Sequence, residues 1–249
     1  NPIIARLSLG LQEFIQMARI PEERKQTITA GCFEMAKFLV EAEKAGQPLI
    51  KELREIENKL KTEGVRVQNG RAVETPGVMH LDDSRIFLKY AKQTLQTLAN
   101  TLGVMLEKDF EGPHFHRVRD HAVQRLGENH PVSKLLTEDQ DWIKEIIDLR
   151  GKDEHPKPGK PFVRGFNISP LPDKWLIDPP RFINDALVLN RLEVYSHNLL
   201  TFCEEMIVHS LADFFPKGVT VYEIPETDRN PEQPVRFKLG WMGGFPKPI

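Results

Sequence analysis

Residues 181–215 read RFINDALVLNRLEVYSHNLLTFCEEMIVHSLADFF, with Pro179-Pro180 before them and Pro216 after. Phe182, Leu187, Leu192, Tyr195, Leu199, Phe202, Met206 and Phe214 recur largely at helical spacing, and no Gly or Pro interrupts the run. Side chains three and four positions apart share a face of an α-helix. The spacing therefore predicts one helix over 181–215, about 50 Å long at a rise of about 1.5 Å per residue. A helix apolar along one side needs neighbours to cover it, so this segment is expected to be the spine of a helical bundle.

Working outward, six further helices are expected. Ile4, Leu7, Leu11, Phe14 and Ile15 give an amphipathic helix over 3–18, and Phe33, Ala36, Phe38 and Val40 mark a second that starts after Pro21 and closes at Gly46. A third, over about 48–63, carries Leu49, Leu53, Ile56 and Leu60 as a narrow seam for a neighbour. The Glu55/Lys59 and Glu57/Lys61 pairs mark its exposed face. Asp82 and Asp83 offer N-caps to a helix reaching about residue 109, and a shorter one covers 115–126. Thr137 with Gln140 reads as a capping box opening a helix to at least Arg150, with Trp142, Ile143, Ile146, Ile147 and Leu149 on its buried side. Asn69-Gly70 between short alternating runs predicts a β-hairpin at about 65–74. Val219, Val221, Phe237, Leu239 and Trp241 predict another at about 219–242. Residues 151–180 hold ten Pro or Gly in thirty and read as a long loop. The expected fold class is mainly α: an antiparallel helical bundle with two small β-hairpin additions, organised as one domain over 1–249 with no internal repeat.

Composition narrows the function classes. A net charge of −2 gives no global pull on nucleic acid or an anionic membrane, so any RNA contact has to come from a local basic patch. Cys32 and Cys203 sit in apolar helical stretches and read as buried free thiols in a cytoplasmic-type protein. No apolar run approaches the ~20 residues that cross a bilayer, so no membrane partner is expected. The chain opens Asn1-Pro2 without a methionine, which leaves its native N-terminus open.

Residues 141–155 read DWIKEIIDLRGKDEH: an apolar helix with a tryptophan, then Arg150, four residues, and His155. This stretch resembles the Arg-x(4–6)-His motif of the HEPN family. The resemblance implies a bundle of four or five helices that dimerises, with Arg and His of both copies around one cleft. It also implies a metal-independent endoribonuclease of the toxin–antitoxin or antiviral type, or a relative that has lost activity and serves as a binding or dimerisation module. In the active case His155 is the general acid/base and Arg150 the phosphate clamp, with Asp148, Asp153 and Glu154 as supporting carboxylates. That chemistry is sound for those side chains. Histidine moves protons near neutral pH, and a permanently charged guanidinium grips phosphate through two donors. It requires no metal or other cofactor.

Spacing alone does not single out this pair, because Arg125/His130 and Arg191/His197 match it too; helical context does. The plain structural reading stands beside the catalytic one. Arg150 favours the negative end of its helix, Gly151 terminates it, and His155 ahead of Pro156 begins a loop. His114, His116, Asp120 and His121 include candidate metal ligands, but surface histidines explain the run more simply. The alternative function is a non-catalytic interaction module, burying a protein partner through the Leu49–Leu60 seam and the 181–215 helix.

Overall fold

The structure, a computed structural model, describes residues 1–68, 71–72, 75–172, 174–231 and 234–241. It is mainly α-helical with small two-stranded antiparallel sheets, and no helix among the described residues is long and apolar enough to cross a membrane. The helices are α1 (Gln12–Met17), α2 (Glu22–Glu63), α3 (Asp83–Leu106), α4 (Phe115–Leu126), α5 (Pro131–Glu138), α6 (Gln140–Glu154) and α7 (Val188–Ala212). The strands are β1 (Val67–Gln68), β2 (Arg71–Ala72), β3 (Val163–Arg164), β4 (Asn167–Pro170), β5 (Trp175–Asp178), β6 (Arg181–Phe182), β7 (Val219–Glu223) and β8 (Phe237–Trp241). They pair β1 with β2, β3 with β6, β4 with β5 and β7 with β8. Both expected hairpins are present, although the Asn69-Gly70 turn lies outside the described residues.

Several expected boundaries move, each for a physical reason. The N-terminal helix is a π-helical segment, Ile4–Leu9, followed by a turn and then α1. Ile4 is exposed on that segment, and Gly10 donates its N–H to Ala5 O at 2.8 Å. The two helices expected on either side of Gly46 are one, α2, which runs through Gly46 and Pro48. Gly46 is a packing glycine rather than a cap: a Cβ there would lie 2.9 Å from Phe87 Cδ2. Pro48 forfeits one backbone bond at a cost of about 3 kcal/mol. Full burial of Leu49 and near-full burial of Ile50 and Leu53 offset it at roughly 1.5–3 kcal/mol each. Thr137 does not open a helix. It closes α5, with its hydroxyl donating to Ser133 O, and Asp139 at the junction accepts from Trp142 Nε1. Asp82 and Asp83 act through their side chains on Arg85 and His80 rather than on the free N–H groups of α3. The helix expected over 181–215 begins only at Val188, because 181–187 is committed elsewhere. Arg181–Phe182 pairs with β3, and a turn with Asp185 at φ 65° leads into α7. Residues 151–180 are not one loop: α6 continues to Glu154, and β3, β4 and β5 follow.

The chain folds into two compact units, neither continuous in sequence. The first comprises Asn1–Val40, Lys92–Lys144 and Asn198–Ile249. Its core holds Ile28, Cys32 and Met35 of α2, Leu98 and Leu102 of α3, Val118 of α4, Leu136 of α5 and Phe202 of α7. Phe202 is met edge-on by Trp142, with centroids 5.6 Å apart, and at a tilt by Phe115 at 5.9 Å. Cys32 and Cys203 are free and buried, and burial pushes the Cys32 thiol up to about 12. The β7–β8 hairpin is tied to α7 through Arg236, which bonds Glu205 at 2.5 Å and Glu223 at 2.7 Å. The second unit comprises Glu41–Ala91 and Glu145–His197. It packs Leu49 and Leu53 of α2 with Phe87 and Leu88 of α3, Ile146 and Leu149 of α6, and Leu192 and Tyr195 of α7, all buried. The first half of the Leu49–Leu60 seam thus serves the chain's own core instead of a partner.

Candidate functional site

The Arg150 cluster lies in the second unit, on the last turns of α6. Ile146 and Leu149 point into the core and fix the rotation of the helix. Arg150 therefore lies on a flank of α6, where Asp153 and Glu154, three and four residues on, share its face. Arg150 Nη1 bonds Asp153 Oδ2, and its Nε meets Glu154 Oε1 at 3.3 Å. The Arg150 side chain is 20% exposed and that of Asp153 only 6%. Asp153 holds a second cation too, its Oδ1 taking Nη1 of Arg85 from α3. The Arg85 guanidinium also bonds Asp82 at 3.2 Å and lies 5.0 Å from the centre of the buried Phe162 ring. One buried carboxylate thus joins two guanidinium groups from two helices. Charge within this group is two cations, Arg85 and Arg150, against three carboxylates, Asp82, Asp153 and Glu154.

Of the five site residues expected from sequence, the fold brings together Arg150, Asp153 and Glu154. His155 is not part of that cluster. Its backbone N–H closes the helix on Gly151 O at 3.0 Å, while its imidazole is exposed and makes no hydrogen bond among the described residues. Asp148 is exposed on α6. Gly151, expected as the helix terminator, lies inside α6, and a Cβ there would meet nothing within 4 Å. Sequence reasoning missed Arg85 and Phe162. Arg85 lies 68 residues from Asp153, and no local pattern signals such a pairing.

The histidine run around 114–121 forms no site of comparable order. His114 and His116 face each other with ring centroids 5.8 Å apart, His121 is turned to Leu106 O at 3.1 Å, and Asp120 pairs with Arg119. Among the described residues no three potential ligands stand close enough to hold a metal ion. Neither a family model, nor a curated protein, nor a solved structure matches the chain.

Proposed function

We propose that this chain is a HEPN-like helical module that works by binding, as a self-associating interaction protein, and does not cut RNA. One observation carries the reading: the guanidinium of Arg150 is committed to Asp153 and Glu154, and Asp153 is itself buried and shared with Arg85. A phosphate clamp has to offer its donors to the substrate. To do so here, Arg150 must leave two carboxylates, one of them the nearly closed Asp153, which would then keep Arg85 alone as its cation. The surplus of carboxylates around it also gives a phosphate no local attraction. A second copy of the chain does not relieve this, since both partners of Arg150 belong to its own helix.

The endoribonuclease reading, of a toxin or antiviral type, keeps one observation in its favour: the imidazole of His155 is exposed and unengaged, as a general acid/base has to be. Incubation with mixed RNA over a range of pH separates the two. Our reading expects wild type and His155→Ala to leave the RNA equally intact. Cleavage by wild type that disappears in His155→Ala, with the fold unchanged by circular dichroism, overturns it. Light scattering is expected to give a dimer mass; a monomer at all concentrations removes the self-association part.

A further inference from the structure

We infer that the outward ridge of α2 between Glu23 and Lys37 is the surface through which two copies of the chain associate, their α2 helices crossing antiparallel at Ala30. The inference rests on the self-association proposed above and locates it in the first unit, whereas the Arg150 cluster belongs to the second. Ile28, Cys32, Met35 and Leu39, spaced four, three and four, turn one side of α2 into the core. The opposite side carries Glu23, Thr27, Ala30, Glu34 and Lys37 at intervals of four, three, four and three, and all five are exposed. Close contact with α3 fixes this rotation: a Cβ on Gly31 would lie 2.2 Å from Thr101 Oγ1. An open groove of about 530 Å³ follows the ridge between α2 and α3, with the buried Thr97 and Thr101 on its wall. Phe33 stands at its rim with 51% of its surface exposed.

The charge order of the ridge selects a second copy as its occupant. Glu23 and Lys37 each lie seven residues from Ala30, on opposite sides of it, and neither side chain has an ion-pair or hydrogen-bond partner among the described residues. A two-fold axis perpendicular to α2 at Ala30 sets Lys37 of each copy against Glu23 of the other and closes two ion pairs at once. A parallel pairing would set like charge on like. At the centre Ala30 meets itself, and a methyl side chain there lets the two backbones approach closely. Phe33, one turn away, is laid against Ala30 and Gln26 of the second copy, while Glu34 comes against Thr27 at the edge of the groove. Every contact is made twice. An anionic surface does not fit a ridge that carries two carboxylates and one lysine.

Sedimentation equilibrium of the full chain at low salt, with charge-swap variants, tests it. K37E puts like charges opposite each other at both ends of the contact and should raise the dimer dissociation constant about ten-fold or more. E23K/K37E restores opposite signs and should bring the constant back to within about three-fold of wild type. Phe33→Ser should weaken the dimer as well. All three positions are exposed, and circular dichroism checks that the variants fold. Ala30→Cys, oxidised with glutathione disulfide, should give a covalent dimer, because the axis sets position 30 against itself and the native Cys32 and Cys203 are buried. A dimer whose constant is the same in wild type and K37E overturns the inference alone and assigns self-association to another surface. Failure of E23K/K37E to recover what K37E loses, or of Ala30→Cys to cross-link, overturns it too. A monomer at every concentration overturns both the inference and the self-association it rests on.

Discussion

Glu204 is the most deeply placed charge described in the first unit, with 2% of its side chain exposed, and it accepts from Arg6 Nε at 2.8 Å. Burial pushes its carboxyl above the usual range, and the Arg6 guanidinium pulls it part of the way back. Removing one member of a buried pair strands the other, whereas replacing both by apolar groups is often nearly neutral. Arg6→Met is therefore expected to lower stability by about 3 kcal/mol or more, and Arg6→Met/Glu204→Met to recover most of that loss in urea titrations. A double variant no better than the single would show that packing, rather than the stranded carboxylate, sets the cost. His209 makes a second residue-scale prediction. It is half-buried on α7, edge-on to Phe237 at 6.2 Å, with Glu205, His130, Arg236 and Glu223 as the charged groups acting on it. Burial holds its imidazole below the ordinary value, so the unfolded chain takes up the proton first as pH falls. The stabilisation is complete above about pH 6.5 and is lost as pH drops through the depressed folded value. His209→Phe should flatten the stability profile between about pH 7 and pH 5; an unchanged slope would assign that pH dependence to other groups.

Two glycines inside helices show how a single residue type acts oppositely at the level of an element. Gly46 lies where α2 meets Phe87, and Gly151 lies in α6 with open space beside it. Alanine gains about 1 kcal/mol of helix propensity over glycine. At Gly151 that gain is unopposed, so Gly151→Ala should raise stability by up to about 1 kcal/mol. At Gly46 the new methyl would press on the face of a packed aromatic ring, and Gly46→Ala should lower stability by about 1–3 kcal/mol despite the better propensity. Thermal melts of the two variants moving in the same direction would contradict this account. The same pair explains what was legible from sequence. Periodicity located α4 to the residue and both hairpins, because those elements are bounded by local turn chemistry. It split α2 at Gly46-Gln47-Pro48, since local rules treat Gly and Pro as breakers and the Phe87 contact that overrides them comes from 41 positions away. It overextended α7 for the converse reason: the strand pairing of Arg181–Phe182 with Val163–Arg164 is non-local.

At the scale of the whole molecule, the candidate site was legible as a pattern but not as an arrangement of charge. Arg150, Asp153 and Glu154 were visible at helical spacing, yet whether Arg150 faces a ligand or its own carboxylates turns on Asp153 being buried against Arg85 of α3, a tertiary fact. Organisation into two units was equally hidden, because each gathers segments far apart in the chain. The division falls within helices rather than between them. α2 gives its first part, to Val40, to one unit and its remainder, from Glu41, to the other; α3 divides after Ala91, α6 after Lys144 and α7 after His197. A helix is cooperative along its length, since each bond added next to existing turns costs far less entropy than starting a new one. Melting one unit therefore frays four helices at the points where they enter the other, and neither unit corresponds to a fragment that can be excised without cutting helices. We expect the chain to unfold as one cooperative whole despite its two units. Tryptophan fluorescence, which reports from Trp142 and Trp241 in the first unit and Trp175 in the second, should follow the same urea transition as far-UV circular dichroism. Single-tryptophan variants retaining only Trp142 or only Trp175 should share that midpoint once corrected for any change in overall stability, whereas two separated midpoints would mean that the shared helices break at the boundary instead of transmitting the loss.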